Sequence, residues 1–238
     1  MCLICKFSYF LSFIEPRSHK NAKKLLYFCV MIKNILFDLG GVIMDIDRMR
    51  AVRALEALGM HNANEVLGEY AQQGPFGALE SGSISVEEWR RQMRAFIAGE
   101  VEDAALDKAF ISFLVGIPEY RLDRLRELRG RFGIYMLSNT NELMWETEIK
   151  RQFGQQGLEM DDYFDGIVTS FEAKAMKPDA GIFEYARKKL GIEPDETLFL
   201  DDSEANCEAA RVLGWHASCV APGREFTEVI NEYFGEYA

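Results

Sequence analysis

Polar and apolar positions fall into two patterns along this chain. Five short runs are dominated by apolar residues with no polar alternation: NILFD (34–38), GIYMLS (133–138), GIVTS (166–170), TLFLDD (197–202) and HASCVA (216–221). Such runs read as strands buried on both faces. Between them, apolar residues recur at helical spacing, as from Tyr120 to Leu128, from Ile182 to Leu190 and from Ala205 to Leu213. Gly191 and Gly214 follow the last two, as glycines do at helix C-termini. Strands alternating with helices predict an α/β fold with a parallel sheet covered on both sides.

One stretch breaks the alternation. Residues 48–118 carry no strand signal, but RMRAVRALEALGM, NANEVLGEYA, SVEEWRRQMRAFI and DAALDKAFISFLVG each have apolar residues at helical spacing. Four helices inserted after the first strand would make a small bundle over the carboxyl edge of the sheet. The expected organisation is a core from residues 31–47 and 119–238 with a helical insertion at 48–118. Trp89 belongs to the core of that insertion. Phe76 and Glu80 lie near one of its turns, where they could touch a substrate. Residues 1–30 fit neither pattern. MCLICKFSYFLSFI is apolar but too short to span a bilayer, which needs about 20 residues, and no small-residue cleavage site follows. The expectation there is a disordered extension or a spurious upstream start.

Composition narrows the function classes. A 48% hydrophobic fraction is enough for a real core. A formal net charge of −11 argues against nucleic acid as a general partner, and nothing after residue 30 reads as a membrane segment. Five cysteines, an odd number without a disulfide-like pattern, suit a reducing, cytoplasmic setting. Cys2 and Cys5 form a C-x-x-C with no second pair.

Candidate chemistry sits at the strand ends, because open parallel sheets bind ligands beyond the carboxyl ends of their strands. The first strand ends at Asp38, in FDLGGVIMDID. The second ends at Ser138 and Asn139, in LSNTN. The loop after the third holds Lys177, in KAMKPD. The fourth ends at Asp201 and Asp202, in FLDDSEAN. Each has an ordinary reading as a turn or helix start. Together, in this order, they resemble the haloacid dehalogenase superfamily, most of whose members are phosphatases. The resemblance runs from Ile32 to the C-terminus, and the wording is similar to the branch acting on sugar phosphates such as glucose 1-phosphate.

That resemblance implies a Rossmann-like core, a helical cap formed by the insertion, and a Mg²⁺-dependent phosphatase of a small phosphorylated metabolite. Asp38 would attack phosphorus and form an aspartyl phosphate. Carboxylate and phosphate repel by roughly 4 kcal/mol per unit pair at 4 Å and an effective dielectric near 20, so positive charge must come from Mg²⁺ and Lys177. Asp38, Asp202 and the Gly40 carbonyl would ligate the metal. Asp201 would act through water or orient its neighbour, and Asn206 would hold a metal-bound water. Ser138, Asn139 through its N–H, and Gly41 through close approach would bind phosphate. Most phosphatases of the family carry a second aspartate two residues after the nucleophile as general acid and base, and here that position is Gly40. Asp45 or Asp47 could substitute, an acidic anomeric leaving group could need less help, or the protein could bind phosphate ligands with little turnover. A 2-haloacid dehalogenase, needing no metal, is the other enzymatic alternative.

Overall fold

The computed structural model describes residues 32–68 and 74–235; the expectations for residues 1–30 lie outside that range. The chain opens with β1 (Asn34–Phe37) and β2 (Asp45–Ile46). It continues through α1 (Arg48–Ala57), α2 (Ala63–Leu67), α3 (Gly74–Glu80), α4 (Val86–Arg94) and α5 (Asp103–Ile111). Then come β3 (Leu114–Gly116), α6 (Glu119–Arg129), β4 (Gly133–Ser138), α7 (Glu142–Met144), a π-helical turn (Trp145–Ile149) and α8 (Lys150–Phe153). The last part is β5 (Gly166–Thr169), α9 (Ser170–Ala173), α10 (Ala180–Leu190), β6 (Thr197–Asp201), α11 (Glu204–Val212), β7 (His216–Cys219) and α12 (Phe226–Phe234).

The five expected strands pair, all parallel, in the order β5-β4-β1-β6-β7. Successive residues of a strand face opposite sides, and both sides here are apolar. Ile35 and Phe37 join one buried cluster with Ile134, Met136, Leu198 and Leu200. Leu36 joins the other with Leu137, Val168 and Phe199, under Ile182, Phe183 and Ala186 of α10. This two-sided burial is why the strands read as unbroken apolar runs. β1, β5 and β6 stop one residue short of the quoted runs, and β7 two short.

The insertion hangs on an antiparallel ribbon, with Asp45 opposite Gly116 and Ile46 opposite Leu114. Among the described residues it holds five helices, not four. The extra one, α3, contains Gly74, Pro75 and Gly77, which gives it low intrinsic propensity. Burial of Phe76 and Leu79 holds it in place instead. The last expected helix ends at Ile111, and Leu114–Gly116 is the returning strand of the ribbon. Trp89, Phe76 and Phe110 form the aromatic centre of the bundle, with ring centroids 4.8 to 6.0 Å apart. Phe76 is thus fully buried core. No helix among the described residues is long and apolar enough to cross a membrane.

Candidate active site

Strand order brings the motif residues together. β1 is central, with β4 on one side and β6 on the other. Phe37 lies opposite Met136 and Leu200, so Asp38, the next residue, stands beside the ends of both neighbours. Its N–H donates to the Leu200 carbonyl at 2.8 Å, extending the ladder by one step. Ser138 ends β4 and Asp201 ends β6. Three side chains distant in sequence thereby meet at one sheet edge, where the order of connections reverses.

Lys177 is the hub of the cluster. Its ammonium donates to Asp38 Oδ1 at 2.6 Å, to Asp201 Oδ2 at 2.6 Å and to the Leu137 carbonyl at 3.0 Å, which uses all three N–H donors. Burial opposes its charge, but Asp201 and Asp38 more than offset that and hold its pKa above the usual lysine range. Asn139 fixes the lysine from behind: its Nδ2 donates to the Lys177 carbonyl and its Oδ1 accepts from the Lys177 N–H, both at 2.9 Å. This two-bond clamp ties the end of β4 to the lysine loop.

Asp38, Asp201 and Asp202 each place a carboxylate oxygen within 4.8 Å of the others. Asp201 is fully buried and engaged at both oxygens. Oδ2 accepts from Lys177, and Oδ1 accepts from the Ser203 N–H and from Asn206 Nδ2, each at 2.9 Å. Asn206, expected to hold a metal-bound water, orients Asp201 through its Nδ2. Gly41 has φ +71°, and a Cβ there would lie 2.3 Å from Asp202 Oδ2. The close approach that demands glycine at 41 is therefore that of the Asp202 carboxylate.

One lysine against three acids leaves two negative charges uncompensated. Burial pushes the Asp38 carboxyl up to about 7; Lys177 pulls against this, while Asp201 and Asp202 add to it. Burial and Asp201 also raise Asp202. An all-oxygen donor set carrying this surplus, with space cleared for Asp202 at Gly41, fits a hard divalent cation such as Mg²⁺.

Ser138 is buried, and among the described residues its hydroxyl makes only a long 3.4 Å contact to the Asn139 carbonyl. Gly40 lies beside Met44 in a bridge, and a Cβ there would meet Ile46 at an ordinary 3.6 Å. Asp45 does not join the cluster. Arg121 Nη1 holds its carboxylate at 2.7 Å and the Ile43 carbonyl at 3.1 Å, while the rest of the guanidinium grips Glu225 at 2.8 and 2.9 Å. Asp47 caps α1 by accepting from the Met49 N–H at 2.9 Å. Asp45 is thus engaged by Arg121, and Asp47 by the N-terminus of α1. The Asn139 clamp and the Arg121 strut are invisible locally, because their partners lie 38 and up to 104 residues away.

The insertion meets the core beside this site. Ser170 Oγ accepts from the Thr140 N–H at 3.0 Å and lies 2.7 Å from the Glu80 carbonyl, to which it can donate. Lys174 Nζ donates to the Gly82 carbonyl at 2.6 Å.

Comparison with known proteins adds three findings. Residues 32–214 match a family model described as haloacid dehalogenase-like hydrolase. D-ribitol-5-phosphate phosphatase of Bacteroides thetaiotaomicron is 35% identical over 205 residues, covering 84% of this chain and 100% of the relative. A crystal structure of a haloacid dehalogenase family enzyme from the same organism, an aspartate-to-alanine mutant in complex with magnesium and inorganic phosphate, superposes with a TM-score of 0.81 at 37% identity. It covers 84% of this chain and 98% of that one. A predicted hydrolase of the same family from Porphyromonas gingivalis gives a TM-score of 0.78 at 33% identity, over 85% and 98% of the two chains.

Proposed function

This chain belongs to the haloacid dehalogenase-like hydrolase family, and on that footing we propose that it is a Mg²⁺-dependent phosphatase of a small sugar or polyol phosphate, with Asp38 as nucleophile. The observation that carries the reading is the Asp38–Asp201–Asp202 cluster around one lysine at the strand ends. It occurs in a chain related over its length to a phosphatase of ribitol 5-phosphate.

Asp38 attacks phosphorus: an O–P bond forms to the carboxylate, the ester P–O bond breaks, and the leaving oxygen takes a proton. Water then cleaves the aspartyl phosphate to release inorganic phosphate and restore Asp38. Asp38, Asp202 and the Gly40 carbonyl would hold Mg²⁺, which would supply the positive charge that lets carboxylate and phosphate meet. Lys177 bridges Asp38 and Asp201, offsets one of their two charges and presents its ammonium to the same point. Asp201 and Asn206 keep Asp202 and the lysine in place. The Ser138 hydroxyl and the Asn139 N–H donate to phosphate oxygens, and Gly41 gives room to Asp202. Residues 48–118 act as the cap that encloses the organic part of the ester, over a core of residues 31–47 and 119–238. A haloacid dehalogenase reading gains nothing from a site with two surplus negative charges, because its substrate carboxylate would be repelled.

The test is phosphate release from a panel of sugar and polyol phosphates that includes ribitol 5-phosphate, with Mg²⁺ and with a chelator. The expected result is metal-dependent release that Asp38→Asn abolishes. No release across the panel, or an Asp38→Asn rate equal to wild type, refutes the reading.

A further inference from the structure

Two buried side-chain donors have no acceptor among the described residues: Trp89 Nε1 and Asn141 Nδ2. Trp89 is enclosed by Phe76 and Phe110 at the centre of the inserted bundle. Asn141 stands in a different place. It is the third residue past Ser138, at the strand edge where the motif residues converge, and it is fully buried.

One end of the Asn141 side chain has a structural task. Oδ1 accepts from the Met144 N–H at 3.0 Å and caps α7. Aspartate or serine would do that equally well. The amide nitrogen is what those residues would lack, and leaving a buried donor unmet costs about 1–3 kcal/mol. A ligand oxygen is the acceptor that would remove this cost.

Position selects which part of the ligand it is. Asn141 lies within about 10 Å of Ser138, the most that three residues of chain can span. Its neighbour Thr140 bonds Ser170, which in turn reaches the Glu80 carbonyl of the insertion. Asn141 thus directly follows the residue that links core to insertion, and the insertion is the side from which the carbon chain of an ester would be enclosed. Resting on the phosphatase reading above, we propose that Asn141 Nδ2 donates to a hydroxyl oxygen of the substrate's carbon chain and so selects hydroxylated phosphate esters over plain alkyl ones.

The experiment compares kcat/KM for ribitol 5-phosphate and pentyl phosphate, which has the same chain length without the hydroxyls, in wild type, Asn141→Ser and Asn141→Asp. Both substitutions keep an acceptor for the α7 cap, and the aspartate also keeps the shape of the side chain. The preference for ribitol 5-phosphate should fall about tenfold or more in both variants, the effect of one hydrogen bond with its stranded partner. Using the ratio removes any loss common to the two substrates. An unchanged ratio overturns the proposal and assigns Asn141 to capping alone. Wild-type turnover of neither ester is a separate outcome: it refutes the phosphatase reading itself, and the proposal falls with it.

Discussion

Lys177→Met is the most direct probe of the charge balance at this site. The lysine lies 2.6 Å from one oxygen of Asp38 and 2.6 Å from one of Asp201. With charge centres about 3.5 Å apart and an effective dielectric near 20, each pair attracts by about 5 kcal/mol. Desolvation of the buried groups opposes most of that gain in the intact protein, but it is not recovered when a single partner is removed. Removing one member of a buried ion pair costs about 3–5 kcal/mol, because the other charge is left stranded. Here one substitution strands two carboxylates with a third, Asp202, close by. We expect a loss of about 5 kcal/mol in metal-free protein above the Asp38 titration, read as a shift of the urea midpoint. Lys177→Met/Asp201→Asn restores the original surplus of two negative charges. It should therefore recover at least about 2 kcal/mol relative to the sum of the single losses. Saturating Mg²⁺ should narrow the gap between Lys177→Met and wild type. A Lys177→Met protein as stable as wild type, or a double variant whose loss equals the sum, would refute the reasoning.

Asp38 titrates near 7 in the fold against 3.8 unfolded. The folded state holds the extra proton across that interval, so metal-free stability should fall by up to about 4 kcal/mol as pH rises from about 4 to 7. Denaturation across that range would show the slope, Mg²⁺ should flatten it, and a flat metal-free profile contradicts the assignment. Gly41→Ala drives a Cβ into Asp202 at positive φ; the Mg²⁺ concentration for half-maximal phosphate release should rise tenfold or more, equivalent to about 1.4 kcal/mol. Arg121→Met strands Asp45 and Glu225 and frees the Ile43 carbonyl, with an expected loss of about 2–3 kcal/mol by thermal melting. Asp45→Asn should leave the alkaline limb of the pH–rate profile in place, whereas its loss would make Asp45 the proton donor. Gly40→Ala meets neither positive φ nor a close neighbour, so its unfolding free energy by urea denaturation should stay within about 1 kcal/mol of wild type; a large drop would show that glycine is required at 40 for structural reasons.

The strands and the places where they end were legible because a strand buried on both faces has no polar alternation. NILFD and TLFLDD stop where a carboxylate appears, and that change of character is visible along the chain. Helix α3 was not legible, since Gly74, Pro75 and Gly77 carry no helical signal and only the packing of Phe76 and Leu79 makes one. Asp45 shows the same limit at the site. Its position after the nucleophile invites an acid–base role, but Arg121, folded in from α6, takes its carboxylate.

Residue order by itself determined an α/β chain with Asp38, Ser138, Asp201 and Asp202 at or just beyond strand ends and Lys177 in the loop that follows the third. Hydrophobic period and chain punctuation are local properties, set by neighbours a few residues away. Tertiary structure decided how those ends interact: which oxygen Lys177 touches, that Asn139 clamps it, that Gly41 yields to Asp202, and that Asn141 keeps a donor unmet among the described residues. Those outcomes depend on distances of a few ångströms between segments tens to more than a hundred residues apart. Electrostatic and hydrogen-bond energies change steeply at that scale, and spacing along the chain carries no information about them.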